Sequence, residues 1–294
     1  MLKTARPRRS LLYMPGSNKR ALEKGRSLPA DGLILDLEDA VAPEAKAEAR
    51  HNVLAALQAG GYGRREVIVR VNGLDSDWGR EDIAALADAG ADALLLPKVE
   101  SAEMLRQAEA LMRAEGAPEQ LALMCMIETP LGVLEAAEIA AASARLTCLV
   151  MGTSDLVKDL GALHTPGRQA LLTSLSLCVL AARAHGLAVL DGVHLDLDDP
   201  EGFAEQCRQA RTLGFNGKTL IHPKTIAKAN EVFAPSEADL AEAHNIIEAH
   251  AAAVEEGSGI VVLDGKLIEK LHVEAARQTL AFARAITELE EAQS

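Results

Sequence analysis

Apolar residues gather in eight short runs: Ser10–Met14, Gly32–Leu37, Glu66–Val71, Ala93–Pro97, Leu121–Ile127, Thr147–Met151, Ala188–Leu190 and Gly217–Ile221. The runs are near-continuous rather than alternating, as in parallel strands buried on both faces. Between them lie Ala-, Glu- and Arg-rich segments of helical period, among them Pro43–Ala59, Arg80–Ala89, Ala102–Glu115, Leu131–Ala142, Thr173–His185 and Glu201–Leu213. A Gly often follows such a segment (Gly60, Gly90, Gly116, Gly186, Gly214), where a chain leaving a helix turns left-handed. The pattern predicts strand and helix alternating eight times, an α/β fold of the (β/α)8 TIM-barrel type, although a doubly wound open sheet shares these local signals.

The barrel is expected to occupy residues 1–235. After the eighth run Thr225–Val232 reads as helical, and residues 236–294 read as a C-terminal appendage. Its parts are a helix over Glu237–Glu255, a Gly257-Ser258-Gly259 break, an apolar strand at Ile260–Leu263, an Asp264-Gly265 turn and a final helix near Val273–Glu288. Asp-Gly between apolar residues is a strong hairpin signal. A helix–hairpin–helix added to a complete barrel needs a surface to cover, and a neighbouring subunit is the expected one.

Composition narrows the function classes. Of 294 residues 49% are hydrophobic and only 2% aromatic, so the core is built from Leu, Val, Ile and Ala, and platforms for stacking nucleobases are not expected. A net charge of −13 argues against nucleic acid and against an anionic membrane as partners. No stretch of about 18 apolar residues and no apolar signal region near the N-terminus is present, so a cytoplasmic protein is expected. Cys125, Cys148, Cys178 and Cys207 lack paired spacing and read as buried small hydrophobes. The charge is uneven, because residues 1–26 carry Lys3, Arg6, Arg8, Arg9, Lys19, Arg20, Lys24 and Arg26 against the single acid Glu23.

The chemistry stands where the apolar runs stop. Asp36-Leu37-Glu38-Asp39, Arg70-Val71-Asn72-Gly73 and Glu128-Thr129-Pro130 each close a run, the place where a barrel carries its active site. Glu128 after the fifth run and Asp155 after the sixth offer two carboxylates with open positions, a donor set suited to Mg2+. A salt bridge for Glu128 and helix-start charge for Asp155 are the competing readings. A buried Arg70 needs an anion, either a ligand or the carboxylates of Asp36 and Glu38. The acids at 36, 38 and 39 need cations in turn, and Arg70, Lys98 or a metal can supply them. Lys19 and Arg20 follow Pro15-Gly16-Ser17 at the start of a helix, where cations cost a few tenths to about 1 kcal/mol unless an anion binds there. Ser17 can cap that helix or donate to such an anion, and Lys24 lies close by, so a phosphate-bearing ligand competes with a plain surface patch. Asp191 and His222, which close the seventh and eighth runs, read as either scaffold or chemistry.

Taken together, Tyr13-Met14-Pro15-Gly16-Ser17, Leu35-Asp36-Leu37-Glu38-Asp39-Ala40-Val41, Arg70-Val71-Asn72-Gly73, Leu96-Pro97-Lys98, Ile127-Glu128-Thr129-Pro130, Gly152-Thr153-Ser154-Asp155-Leu156, Gly217-Lys218 and Ile221-His222-Pro223 form a collinear set. The set resembles the citrate lyase β-subunit-like family of the 2-oxo-acid aldolase superfamily, which includes malyl-CoA and citramalyl-CoA lyases and malyl-CoA thioesterases. The resemblance implies Mg2+ on Glu128 and Asp155, Arg70 on a substrate oxygen, Glu38 in support, and Ser17, Lys19, Arg20 and Lys24 near the CoA phosphates. It also implies a homotrimer or hexamer in which the appendage brings an acid to a neighbour's site. Glu269 in Gly265-Lys266-Leu267-Ile268-Glu269 stands at that position, where Asp is usual. The leading expectation is a Mg2+-dependent lyase that splits a carbon–carbon bond of a 3-hydroxyacyl-CoA. A malyl-CoA thioesterase, a citrate lyase β subunit acting on an acyl-carrier-protein thioester, and an aldolase for free pyruvate are the rivals.

Overall fold

The eight apolar runs form eight parallel strands that close into a barrel in sequence order: β1 (Ser10–Pro15), β2 (Gly32–Asp36), β3 (Glu66–Arg70), β4 (Ala93–Leu96), β5 (Ala122–Ile127), β6 (Leu146–Met151), β7 (Ala188–Asp191) and β8 (Gly217–Leu220). Closure through pairing of β8 with β1 excludes the open doubly wound sheet. The structure is a computed structural model that describes residues 6–255, 261–263 and 265–293. Lys3, Gly257-Ser258-Gly259, Ile260 and Asp264 lie outside the described residues.

The helices are α1 (Lys19–Gly25), α2 (Lys46–Ala59), α3 (Gly79–Leu86), α4 (Ala102–Ala114), α5 (Pro130–Leu134), α6 (Ala136–Ala141), α7 (Thr153–Asp159), α8 (Leu172–Ala184), α9 (Pro200–Leu213), α10 (Ile226–Phe233), α11 (Glu237–Glu255) and α12 (Lys270–Glu291). Local chemistry sets several starts. Ser101, Thr129 and Asp199 accept from the backbone N–H three residues on, and Pro130 and Pro200 occupy the first turn, where a missing N–H costs nothing. Two expectations need correction. The helix expected over Leu131–Ala142 is broken at Glu135, whose φ of −90° and ψ of 4° lie outside the helical region. The segment expected from Pro43 begins with a 3-10 turn, Pro43–Ala45, before α2.

Strand alternation divides the core in two. Leu11, Ile34, Ile68, Leu95, Met124, Met126, Val150 and Leu190 fill the barrel interior. Their neighbours Leu12, Leu33, Leu35, Val67, Val69, Leu94, Leu123, Leu149 and Val189 pack outward against the helices. The inward parity that runs through Ile34 and Ile68 reaches Asp36 and Arg70 at the C-terminal ends of β2 and β3, where the two are register partners. At the opposite end it reaches Glu66, which pairs through both oxygens with buried Arg8, each at 2.6 Å. Arg9 likewise holds buried Asp31, at 2.8 and 3.0 Å. Two of the N-terminal cations, Arg8 and Arg9, are therefore internal struts rather than part of a surface charge.

The chain divides into two compact units, Arg8–Phe233 and Ala234–Ala292. In the second, α11 and α12 pack together beside an antiparallel hairpin of β9 (Val261–Leu263) and β10 (Lys266–Ile268). Gly265 takes the left-handed turn position at φ 77°. Ile268 and Val273 form a small core with Ile246, Ile247, Ala249 and Ala253. No helix among the described residues is long and apolar enough to cross a membrane.

Glu66→Ala strands the buried Arg8 charge and is expected to lower stability by about 3–5 kcal/mol in urea unfolding. The Arg8→Met, Glu66→Leu double variant removes both members of the pair and is expected to lose less stability than Glu66→Ala; equal losses in both proteins would show that the ion pair is not the strut.

Candidate active site

The mouth of the barrel is organised around Arg70. Its Nε and Nη2 donate to the two oxygens of Asp36 at 2.7 and 2.6 Å. Nη1 meets Glu38 Oε2 at 2.9 Å and Asp39 Oδ2 at 3.2 Å. The guanidinium lies over the Tyr13 ring, 4.8 Å from its centroid. Arg70, Asp36 and Glu38 are buried, whereas the Asp39 side chain is 58% exposed. The three acids sit close together because Asp36 accepts from the N–H groups of Glu38 and Ala40, folding the chain back after β2. Lys46 on α2 secures the same turn, donating to the carbonyls of Leu37 and Glu38 at 2.8 and 2.7 Å.

Lys98 links this cluster to the next strand. Its Nζ donates to Glu38 Oε1 at 3.1 Å and its backbone N–H to Glu128 Oε1 at 2.7 Å. Lys98 does this from a left-handed backbone, φ 49°, a conformation that costs a non-Gly residue about 1 kcal/mol or more and that collects at functional sites. Glu128 is 2% exposed. Burial is the main cause pushing its carboxyl up to about 7; the Lys98 N–H opposes it, and the charges of Glu38 and Asp155 add to it. Burial also raises Glu38, against the attraction of Arg70 and Lys98.

Asp155 lies in the first turn of α7, directly after β6, and β6 pairs with β5, which carries Glu128. Gly152 between β6 and α7 makes the approach possible, because a Cβ there would collide with Cβ and Oε2 of Glu128. Ser154 Oγ, beside Asp155, is buried and unbonded. Among the described residues no group of three or more His, Cys, Asp or Glu side chains forms a metal cage. Glu128 and Asp155 are two carboxylates at adjacent strand ends, a pair that could hold Mg2+ with several of its waters retained.

The remaining sequence candidates fall elsewhere. Ser17, Lys19, Arg20 and Lys24 are exposed on and around α1. The cap of α1 is Asn18, which accepts from Ala21 N–H at 3.1 Å, so Ser17 does not cap the helix. Glu269 lies in the second unit, exposed at the N-cap of α12, where its N–H donates to His272 Nδ1 at 2.9 Å. Asn72 is fastened to Asp82, His222 accepts from Lys224 N–H, and all four cysteines are free and buried. Sequence reasoning assigned no role to Tyr13 or Gly152, though both stand in the motifs of the collinear set, and found no sign of the Lys98 N–H. Its place before Thr153-Ser154-Asp155 was the available signal for Gly152.

A closed parallel barrel with its charged groups gathered at the C-terminal mouth is the architecture in which barrel enzymes carry their active sites. The model of the HpcH/HpaI aldolase/citrate lyase family matches residues 9–223, and the chain belongs to that family. It is 51% identical over 286 residues to a (3S)-malyl-CoA thioesterase of Cereibacter sphaeroides, covering 97% of this chain and 98% of that protein. With the citrate lyase subunit beta of Escherichia coli it shares 38% identity over 283 residues, 95% of this chain and 94% of the other. Among solved structures, protein CitE from Mycobacterium tuberculosis in complex with magnesium, acetoacetate and coenzyme A has a TM-score of 0.77 at 30% identity, covering 96% of this chain and all of that one.

Two outcomes test the site. Gly152→Ala is expected to lower thermal stability and, in the protein that folds, to lower activity by on the order of 10²-fold, since Glu128 must move by about 1 Å; near-normal activity would mean that the Glu128 position is not needed. In metal-free protein the raised Glu128 pKa favours the folded state at low pH, fully below about 4.5, and this contribution is lost as pH rises through about 7. Chelated wild type is therefore expected to lose about 2.5 kcal/mol relative to Glu128→Gln between pH 5 and 8, read from paired urea titrations.

Proposed function

We propose that the protein is a Mg2+-dependent thioesterase for a malyl-CoA-like thioester. The observation that carries hydrolysis over carbon–carbon cleavage is the 51% identity, across 97% of the chain, with a (3S)-malyl-CoA thioesterase. The lyase favoured by the motifs becomes the second reading, supported by the 38% identity to a citrate lyase subunit beta.

Glu128 and Asp155 would hold the metal, which when bound supplies positive charge to the substrate's carboxylate and hydroxyl oxygens. Arg70 is fixed by Asp36 and Glu38, so its guanidinium is aimed before substrate arrives. Its exposed partner Asp39, at 3.2 Å, is the contact that a substrate oxygen would displace. Glu38, held between Arg70 and Lys98, keeps both cations in place. Lys19, Arg20 and Lys24, with Ser17, are the proposed contacts of the CoA phosphates. Glu269 is the proposed acid–base from a neighbouring subunit of a homotrimer or hexamer, with residues 236–294 lying across that neighbour.

The purified protein is expected to release free CoA thiol and malate in equal amounts from malyl-CoA with Mg2+, and to lose that activity in EDTA or as Glu128→Ala or Asp155→Ala. Formation of glyoxylate without free thiol would reverse the choice in favour of the lyase. Full activity in EDTA would remove the metal.

A further inference from the structure

Next to the mouth, on the helix-facing side of the barrel, two cations share one carboxylate. Leu190 faces the interior, so Asp191 at the end of β7 faces the helices with its register partner Lys218 of β8. Both are fully buried. Asp191 accepts from Lys218 Nζ at 2.6 Å, from Arg168 Nη1 at 2.8 and 2.9 Å, and from the Gly192 N–H at 2.9 Å. Lys218 alone neutralises the carboxylate. Arg168, 6% exposed, is a surplus buried cation, and a surplus charge is costly. Burial holds Lys218 below the ordinary lysine value, Asp191 opposes that shift, and the Arg168 charge adds to it.

What Arg168 provides is attachment. It has a left-handed backbone, φ 52°. Gln209 on α9 receives Arg168 Nε at 2.8 Å and donates to the Gly167 carbonyl at 2.8 Å. Residues 167–168 are thus docked on both β7 and α9. The same carboxylate reaches the other end of this segment through Gly192, because a Cβ on Gly192 would collide with Thr153 Oγ1, at the first residue of α7. Between the two anchors lie α7, Asp155 and the helix end at Gly161, where Ala162 N–H returns to the Val157 carbonyl at 3.0 Å.

We propose that Arg168 is a positioning residue whose ion pair with Asp191 latches the 153–168 segment to the barrel and so fixes where Asp155 stands. The proposal rests on Asp155 being a Mg2+ ligand, as proposed above. Replacing Arg168 leaves the balanced Asp191–Lys218 pair, so Arg168→Met is expected to melt within a few degrees of wild type.

Hydrogen exchange of peptides within 156–168 is expected to quicken by about tenfold in Arg168→Met, with other regions unchanged. The calorimetric Kd for Mg2+ is expected to rise by about fivefold or more, with kcat falling more than KM for the thioester rises. Arg168→Lys, which keeps the charge without the fork, is expected to fall between, and it carries the test if the Met variant does not fold. Unchanged exchange would overturn the latch, and faster exchange with unchanged Mg2+ affinity would overturn its role toward Asp155. A wild type that binds no Mg2+ would overturn that role through its premise. Exchange and Mg2+ binding do not depend on turnover, so a wild type inactive on malyl-CoA would refute the thioesterase reading alone.

Discussion

A guanidinium buried at the mouth of the barrel constrains everything around it. Arg70 occupies an inward position, and an unpaired charge there costs several kcal/mol, so Asp36 meets it through two parallel hydrogen bonds. That pairing requires the chain after β2 to fold back, which brings Glu38 and Asp39 to the remaining nitrogen. Glu38 then meets Lys98, and the Lys98 N–H holds Glu128 beside Gly152. The polar groups follow one another around the mouth from β2 to β6, each placed by the one before. The left-handed Lys98 sits in the middle of this series, where the surrounding bonds over-determine an unfavourable backbone.

The eight strands were legible because parallel barrel strands are buried on both faces and read as unbroken apolar runs. Asp36, Arg70 and Glu128 were legible for the complementary reason: a charge that closes such a run must meet either a counter-charge or a ligand. What the sequence hid were pairings across distance. Arg8 and Arg9 look like a basic tail, yet they end as struts to Glu66 and Asp31, residues 58 and 22 positions away. Ser17 and Asn18 are both good caps, and only backbone geometry decides between them. The Lys98 N–H carries no side-chain signal at all. Asp191 looked interchangeable with His222 as a strand-end residue, and only register and burial separate a charge cluster from an exposed turn.

Cleavage and hydrolysis make the same first demand, since both need an oxygen-rich substrate held and a developing negative charge met. In the roles proposed for them, Arg70 and Glu128 would serve either reaction, so strand-end motifs point to the family and not to the reaction. The two differ in their proton transfers: carbon–carbon cleavage must deliver a proton to the enolate carbon, whereas hydrolysis must take one from the attacking water. Glu269 has the chemistry for such a transfer, and its extra methylene relative to Asp changes the reach. Its place at a helix N-cap also gives it a structural use, where a carboxylate next to free N–H groups is favourable. A role in catalysis would therefore draw on a side chain already suited to its helix.

The acid-rich mouth and the net charge of −13 pose a problem for a polyanionic ligand such as a CoA thioester. Electrostatic screening resolves it. At physiological ionic strength charges are felt over about 8 Å, so a ligand responds to the surface it nears rather than to the whole molecule. Arg8 and Arg9 are committed to internal pairs, but Lys19, Arg20 and Lys24 remain exposed around α1, after β1. A nucleotide bound there would leave its thioester arm free to extend toward the mouth. Fixed cations at the mouth already have carboxylate partners, so a second anion at that end gains most from a metal on Glu128 and Asp155. The proposed division of labour, surface lysines for the remote phosphates and a metal for the reacting end, follows from which cations the fold has already used.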